Sequence, residues 1–293
     1  MTQSLKHGVL LAIAAYSMWG LAPIYFKMIQ QVPSLEILVH RIIWSTLFLF
    51  IVIAVKKQWS NIQKVLASRR QLAILTLSAS LLGFNWWLFI WAVNNDQILE
   101  ASLGYYINPL LNVALGTLFL GERLSRLQYS AVALAATGVL IQVVSFGSFP
   151  IVALGLASSF AIYGLIRKKV SVDSLSGLLI ESLILVTPAL VYWWGFANSD
   201  YANMFDNSVS LNVLLMSASV VTTLPLLCFV AAARRLNYST LGFFQYIGPS
   251  IMFLFAVFVY GETVGQDRWV TFAFIWGALA IYSFAALKKR KST

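Results

Sequence analysis

The sequence predicts an all-α membrane protein in which ten transmembrane helices form two inverted five-helix repeats. Three observations lead to this prediction. The chain of 293 residues is 60% hydrophobic and only 10% charged, whereas soluble domains carry about 25% charged residues. It divides into ten apolar runs, each long enough to cross a bilayer. A phrase in the first half also recurs in the second half, at the same distance before a Gly-Glu pair.

Composition excludes several other classes of protein. The net charge of +10 does not indicate nucleic-acid binding, because the basic residues lie between the apolar runs. The single cysteine, Cys228, excludes a disulfide framework and a cysteine-based metal site. We therefore expect no cofactor, no metal and no nucleic-acid partner. The expected partners are a small-molecule substrate and the lipid bilayer, and the sequence leaves open whether the chain is a monomer or a homodimer.

The helices follow the apolar runs in order. The first begins after Lys6, and its uncharged stretch exceeds the apolar core of about 7–15 residues in a cleaved signal, so we expect it to remain. A spanning helix needs about 20 mostly apolar residues. The predicted helices cover residues 8–28, 35–55, 72–93, 99–120, 127–145, 150–167, 176–196, 211–233, 239–260 and 268–287.

Two boundaries need a separate argument. The uncharged stretch 127–166 is too long for one helix, and SFGSFP at 145–150 divides it because Gly and Pro stop helices. The charge-free part of the second helix, 42–55, would span only about 21 Å, short of a hydrocarbon core of about 30 Å. This helix must therefore begin near Leu35, which places three ionisable residues in its first two turns: Glu36, His40 and Arg41.

Orientation follows from lysine and arginine. With the N-terminus in the cytoplasm, every basic residue except Lys27, Arg41 and Arg268 falls toward the cytoplasmic side. Because positive loops stay inside, we expect both termini to be cytoplasmic in a multi-pass protein of the inner (plasma) membrane.

The recurring phrase defines the repeat. Residues 103–109 read LGYYINP and residues 243–249 read FFQYIGP, and Gly121-Glu122 and Gly261-Glu262 follow at equal distance. Near the start, a slightly different shift aligns Tyr16, Trp19 and Gly20 with Phe160, Tyr163 and Gly164. Five helices separate equivalent points, and an odd number of crossings inverts the second copy. The predicted halves are residues 1–145 and 146–293.

The Gly-Glu pairs have a simple structural interpretation as tight turns. Gly121 follows the fourth helix, where a left-handed C-cap would lie. Ser125 and Gln128 have the spacing of a capping box at the start of the fifth helix.

Inverted repeats are typical of secondary transporters, in which two similar halves exchange conformations around a shared site. The chain has no phosphate-binding loop for ATP, no zinc-protease motif and no potassium-filter sequence, and no soluble domain that would hold an enzyme site. We therefore expect a transporter rather than an enzyme.

Particular stretches also resemble a known family. NPLLNVALGTLFLGERLS (108–125) is similar to the EamA-type halves of the drug/metabolite transporter superfamily. NWWLFIWAVNN (85–95), LEASLGYYINPL (99–110) and STLGFFQYIGPS (239–250) resemble the RarD family of bacterial inner-membrane proteins. The resemblance implies ten transmembrane helices, an inner-membrane location and export or exchange of small solutes.

Ionisable residues inside apolar helices are candidate functional sites. Glu36 and His40 have the i,i+4 spacing of a helical pair. Arg41 either extends to lipid headgroups or lines an outer vestibule that favours anionic or zwitterionic solutes. Glu100 and Glu181 either cap helix N-termini or act as gates, and Glu181 aligns near His40 across the repeat. The candidate gating or proton-coupling residues are His40, Arg41, Glu100 and Glu181.

Uncharged polar and aromatic residues near Pro109 and Pro249 are candidates for the substrate site. Small-molecule pockets combine aromatic walls with a few polar anchors, and broken helices at matching places point to a transport site. The alternative is an aromatic interface belt with structural prolines. The predicted substrate-binding residues are Tyr16, Trp19, Asn85, Trp86, Ser102, Tyr105, Asn108, Thr222, Phe243, Gln245 and Tyr246.

These observations predict a secondary transporter that moves a small organic metabolite or drug-like amphiphile by alternating access, in export or exchange. A channel-like conduit or a lipid scramblase is the alternative. Substrate identity, direction and proton coupling are left open by the sequence.

Overall fold

The structure is a computed structural model that describes residues 3–95, 97–261 and 265–291. The described residues form helices and no strands. The helices are α1 (Gln3–Lys27), α2 (Ser34–Val55), α3 (Trp59–Leu66), α4 (Arg69–Asn94), α5 (Ile98–Leu120), α6 (Arg126–Phe146), α7 (Ile151–Lys169), α8 (Ser174–Gly195), α9 (Val209–Ala233), α10 (Tyr238–Gln245), α11 (Ile247–Phe258) and α12 (Gln266–Lys291).

The ten predicted spans are all present among the described residues. Their ends shift by a few residues, most of all in α1, which begins at Gln3 rather than Gly8. Helical hydrogen bonding continues past the apolar run into polar residues, which a hydropathy pattern does not register. The second helix begins at Ser34, so Glu36 and Arg41 lie inside it as predicted.

Two features of the helices were not predicted. The short helix α3 lies between α2 and α4, and its Ile62 and Val65 are buried against the main hydrophobic cluster. The ninth span is divided at Tyr246 into α10 and α11. Pro249 lacks the N–H that would bond to the carbonyl of Gln245, which accounts for a break at this place.

The predicted turn after α5 is confirmed. Gly121 has φ of 64° and ends α5 in the left-handed conformation. Ser125 Oγ accepts from the Gln128 N–H at 3.3 Å, and Gln128 Oε1 accepts from the Ser125 N–H at 2.9 Å, which completes the capping box. Gly261 has the matching φ of 65°. Glu262, the second residue of the repeated pair, lies outside the described residues.

The two halves, α1–α6 and α7–α12, pack mainly against each other. α1 packs on α9 just as α7 packs on α4, and α1 packs on α11 just as α5 packs on α7. The pairs α2–α8, α5–α10 and α6–α12 join equivalent helices. This pattern is unchanged when the halves are exchanged, as a twofold axis between inverted repeats requires. The division at residues 145 and 146 stays a prediction.

The twofold axis passes close to α5 and α10. The hydroxyl of Tyr246 donates to the carbonyl of Tyr106, its own counterpart in the repeat, at 3.2 Å. At Gly242, an added Cβ would lie 2.7 Å from the carbonyl oxygen of Pro109. Only glycine permits this approach between the two backbones.

Candidate functional site

A cavity of about 650 Å³ lies between the two halves. Its walls come from α1, α2, α4 and α5 of the first half and from α7, α9, α10 and α11 of the second. Ligand sites commonly enclose about 300–1,000 Å³. The predicted site residues that line it are Tyr16, Trp19, Arg41, Asn85, Trp86, Tyr105, Asn108, Thr222 and Gln245.

The cavity occupies one side of the helix bundle. Its lining includes Lys27, Gln30 and Ser34 at the connection between α1 and α2. From there it extends to residues near the middle of their helices, such as Tyr16 of α1 and Phe160 of α7, and no farther. We call the side of the α1–α2 connection the cavity side and the other the closed side.

Five aromatic rings close the cavity at mid-depth. Their centroids lie 5.0–6.3 Å apart in tilted, edge and stacked arrangements, the usual spacing of packed aromatic pairs. The rings come from α1, α7 and α9, so both halves contribute. This aromatic floor consists of Tyr16, Trp19, Phe160, Tyr163 and Phe229.

A buried ion pair lies on the closed side of the floor. Arg167 Nε and Glu181 Oε1 are 3.5 Å apart, and the two side chains are 0% and 1% exposed. Ser78 donates to Glu181 Oε1 at 2.6 Å, and the Tyr163 hydroxyl donates to Oε2 at 3.4 Å. Gly177 presses against the guanidinium, which leaves no room for a Cβ there. This inner polar cluster, Ser78, Tyr163, Arg167 and Glu181, joins α4, α7 and α8.

Further bonds between helices lie near the closed-side ends. Lys168 Nζ donates to the carbonyl of Ala233 at 2.8 Å. The carboxylate of Glu122 accepts from the backbone N–H and the hydroxyl of Ser239 at 2.9 and 2.5 Å, and from the N–H of Tyr238 at 2.5 Å. Glu122 therefore caps the N-terminus of α10, whose own N-cap residue makes no side-chain bond. From the sequence, Glu122 was predicted only as part of a turn.

Side-chain amides fix the deep end of the cavity. Asn85 donates to the carbonyl of Leu156 at 2.8 Å and to the Ser159 hydroxyl at 2.9 Å. Asn112 links the two halves by donating to Asn108 Oδ1 at 3.2 Å and to Gln245 Oε1 at 2.8 Å. These amides are fixed by neighbours before any ligand binds.

Arg41 lies on the wall of the cavity, two turns into α2. Its Nε donates to the Thr222 hydroxyl at 3.0 Å. The guanidinium carbon lies 5.1 Å from the Trp86 ring and 5.5 Å from the Phe26 ring. Arg41 is therefore a lining residue of the cavity, and its role toward solutes stays a prediction.

The other ionisable candidates do not line the cavity. Glu36 and His40 bond to different partners rather than to each other. The Glu36 carboxylate accepts from the Ser199 hydroxyl at 2.5 Å, and the His40 Nδ1 accepts from the Trp44 indole at 3.2 Å. The remaining candidate, Glu100, accepts from the Val152 N–H at 2.7 Å, so it caps α7 rather than its own helix.

Three predicted substrate-binding residues also lie outside the cavity. Phe243 stacks on Tyr282 of α12 with centroids 3.8 Å apart, and the Tyr246 hydroxyl bonds to α5. Ser102 donates to the carbonyl of Leu99 within its own helix at 2.7 Å. Successive helical residues point about 100° apart, so only Gln245 of this α10 segment turns toward the cavity.

Several lining residues were not predicted from the sequence. They include Phe26, Lys27 and Gln30 beside the α1–α2 connection. Phe160 was noted only as a repeat match of Tyr16, and that match is the signal that identifies it as a lining residue.

Comparisons with known proteins agree with this architecture. Residues 6–144 match the family described as the EamA-like transporter family. Protein RarD of Salmonella typhimurium is 57% identical over 96% of each chain. An uncharacterized transporter of Vibrio cholerae is 56% identical over 98% of this chain and 95% of its own. The chain belongs to the EamA-like transporter family, in its RarD group. It is therefore a multi-pass membrane transporter of the bacterial inner membrane.

The fold is also that of a solved structure. A crystal structure with 15% sequence identity superposes with a TM-score of 0.75, over 94% of this chain and 97% of that one. The fold class predicted from the sequence, ten transmembrane helices in two inverted five-helix repeats, is confirmed.

Proposed function

We propose that the chain is a secondary transporter that moves a small organic metabolite or drug-like amphiphile across the inner membrane by alternating access, in export or exchange. The observation that carries this proposal is the one-sided cavity between the inverted halves. It reaches from the α1–α2 connection to the middle of the bundle and ends at the aromatic floor. A site at mid-depth that opens to one side is the arrangement that alternating access requires.

The repeat supports a second conformation of similar energy. α2 begins at Ser34 and α8 at Ser174, so Arg41 and Glu181 occupy the same position in their helices. Arg41 faces an open cavity, whereas Glu181 is enclosed by its neighbours. Exchange of the two halves' conformations would open the region of Glu181 and close that of Arg41.

The charge pattern gives this conformation an orientation. If positive segments stay inside, the α1–α2 connection is outside and the cavity faces outward. The termini are then cytoplasmic, and the inner polar cluster forms the barrier on the cytoplasmic side.

Labelling of single cysteines tests alternating access. In a chain with Cys228 replaced by serine, we would place one cysteine at Ala22, which lines the cavity, or at Ala233, which is 0% exposed on the closed side. A membrane-impermeant maleimide should label Ala22→Cys in right-side-out vesicles. In inside-out vesicles, Ala233→Cys should react only when Ala22→Cys is protected.

The control is a cysteine at Lys64, which is exposed on α3. The reactivity of Lys64→Cys should stay constant when conditions change which of Ala22→Cys and Ala233→Cys is labelled. Simultaneous reaction at Ala22→Cys and Ala233→Cys in one conformation would favour a channel-like conduit or a scramblase instead. Reaction of Ala22→Cys from the cytoplasmic side alone would reverse the proposed orientation.

A further inference from the structure

The cavity contains positive charge without negative charge. Its charged lining residues are Arg41 and Lys27, and no acidic residue lines it within the described chain. Arg41 lies seven residues after the start of α2, about 10 Å along the helix. A cation at such a depth in a transmembrane helix is energetically unfavourable unless it is paired or functional.

Four glutamates of the described chain, in the helices or at their ends, already have other partners. Glu36 bonds to Ser199 and Glu100 to the N-terminus of α7. Glu122 caps α10, and Glu181 is paired with Arg167. The structure therefore leaves none of these acids to neutralise Arg41 in this conformation.

The guanidinium is held in place but its outer edge is free. Nε donates to Thr222, and the rings of Trp86 and Phe26 flank the guanidinium plane. Within the described chain, neither terminal NH₂ group donates to a protein acceptor. A guanidinium with two free NH₂ groups has the planar fork that binds a carboxylate through two parallel hydrogen bonds.

We propose that Arg41 binds the anionic group of the substrate, and that the substrates are small organic anions, carboxylates above all, with an apolar body held by the aromatic walls. The proposal rests on the proposed function, since it takes the cavity to be the substrate site. The anionic group contacts Arg41, and the apolar body lies between Trp86, Phe26 and the aromatic floor.

Binding of matched probes tests the charge preference. The probes are 3-phenylpropionate and its neutral amide, 3-phenylpropionamide, which share size and apolar body. Titration calorimetry of the detergent-solubilised protein at neutral pH should show the acid binding at least about tenfold more tightly than the amide, because hydrogen bonds to charged groups contribute about 1.5–3 kcal/mol.

Variants assign the preference to one residue. Arg41→Gln should reduce the acid-to-amide ratio of affinities to about one, and Arg41→Lys should retain part of it because the charge remains but the fork is lost. Lys64→Gln removes one positive charge from exposed α3 and should leave the ratio unchanged. Thermal melting of each variant verifies that it is folded.

Three results would overturn the proposal: equal affinity of acid and amide in the unmodified protein, a preference that survives in Arg41→Gln, or no saturable binding of either probe. The first and third results are measured on the unmodified protein alone. The proposal can therefore be refuted even if the Arg41 variants fail to fold. The cysteine experiment does not depend on these probes. If the cysteines show alternating access but acid and amide bind equally, the proposed transporter function is supported and only the anion-binding role of Arg41 is refuted.

Discussion

Removal of one member of the Arg167–Glu181 pair should destabilise the protein far more than removal of both. The side chains are 0% and 1% exposed, and the described residues offer Glu181 only Ser78 and Tyr163 as further partners. Arg167→Met would leave a buried carboxylate without its cation. Breaking a buried pair in this way destabilises proteins by about 3–5 kcal/mol.

The double variant Arg167→Met/Glu181→Met should behave differently. Two methionines roughly conserve the apolar volume and leave no buried charge, and such replacements of ion pairs are often neutral or stabilising. We therefore expect the double variant within about 1 kcal/mol of the unmodified protein, and a coupling energy of about 3 kcal/mol or more between the sites. The free energy of unfolding is measured by titrating dodecyl sulfate into detergent-solubilised protein, with helix content as the signal.

The reasoning fails if the two single substitutions simply add in the double variant, because the side chains would then not be coupled. It also fails if Arg167→Met alone is neutral. A matched control is Lys64→Met on exposed α3, which should change stability by less than about 0.5 kcal/mol. In the cysteine assay, the destabilised barrier of Arg167→Met should also raise the reactivity of Ala233→Cys.

Three further predictions concern the contacts between halves and the energetics of transport. Glu122→Ala should lower the free energy of unfolding by about 2–3 kcal/mol, since the carboxylate caps the start of α10. The control Asp200→Asn, at an exposed loop, should have little effect. Equal melting temperatures for the two variants would contradict the capping role. Gly242→Ala should destabilise the protein by about 1–3 kcal/mol, because the added Cβ would lie 2.7 Å from a backbone carbonyl oxygen. The control Gly195→Ala, whose Cβ would have no atom within 4 Å, should be neutral or slightly stabilising in the same thermal melts. Glu181, the carboxylate that the second conformation would expose, is already paired with Arg167, and no carboxylate of the described chain lines the cavity in this one. Accumulation of substrate in proteoliposomes should therefore not respond to an imposed pH gradient, and a gradient-driven rise would contradict this.

The helices were predictable because each span is a run of apolar residues whose length is set by the bilayer. The short helix α3 was not, because half of its eight residues are polar and a hydropathy window of spanning length does not register so short a helix. The turn at Gly121 was predictable because left-handed C-caps and capping boxes are local in sequence. The bonds of Glu122 to α10 were not, since 116 residues separate it from Tyr238.

The candidate site was predictable in kind more than in detail. Polar residues in apolar helices identified Asn85, Asn108 and Gln245, which the structure brings to one cavity. The same reasoning placed Phe243 and Tyr246 there, because composition does not fix the rotation of α10. The pairing of Glu181 with Arg167 could not be predicted either, because the two residues lie on different helices. In the sequence, Arg167 also stands beside Lys168 and Lys169, which reads as a cytoplasmic positive segment.

The different environments of Arg41 and Glu181 bear on how the transport cycle proceeds. At equivalent positions, the closed side contains an acid that already has a cation, whereas the cavity side contains a cation without an acid. Closure of the empty cavity would bury Arg41 without a counter-charge, which is strongly unfavourable. Under the proposed assignment, a bound carboxylate supplies that counter-charge, so closure is easier with substrate than without it. A transporter that changes state mainly when loaded carries substrate in both directions and runs as an exchanger. This asymmetry, produced by two residues at equivalent positions of the two repeats, therefore favours exchange within the proposed function.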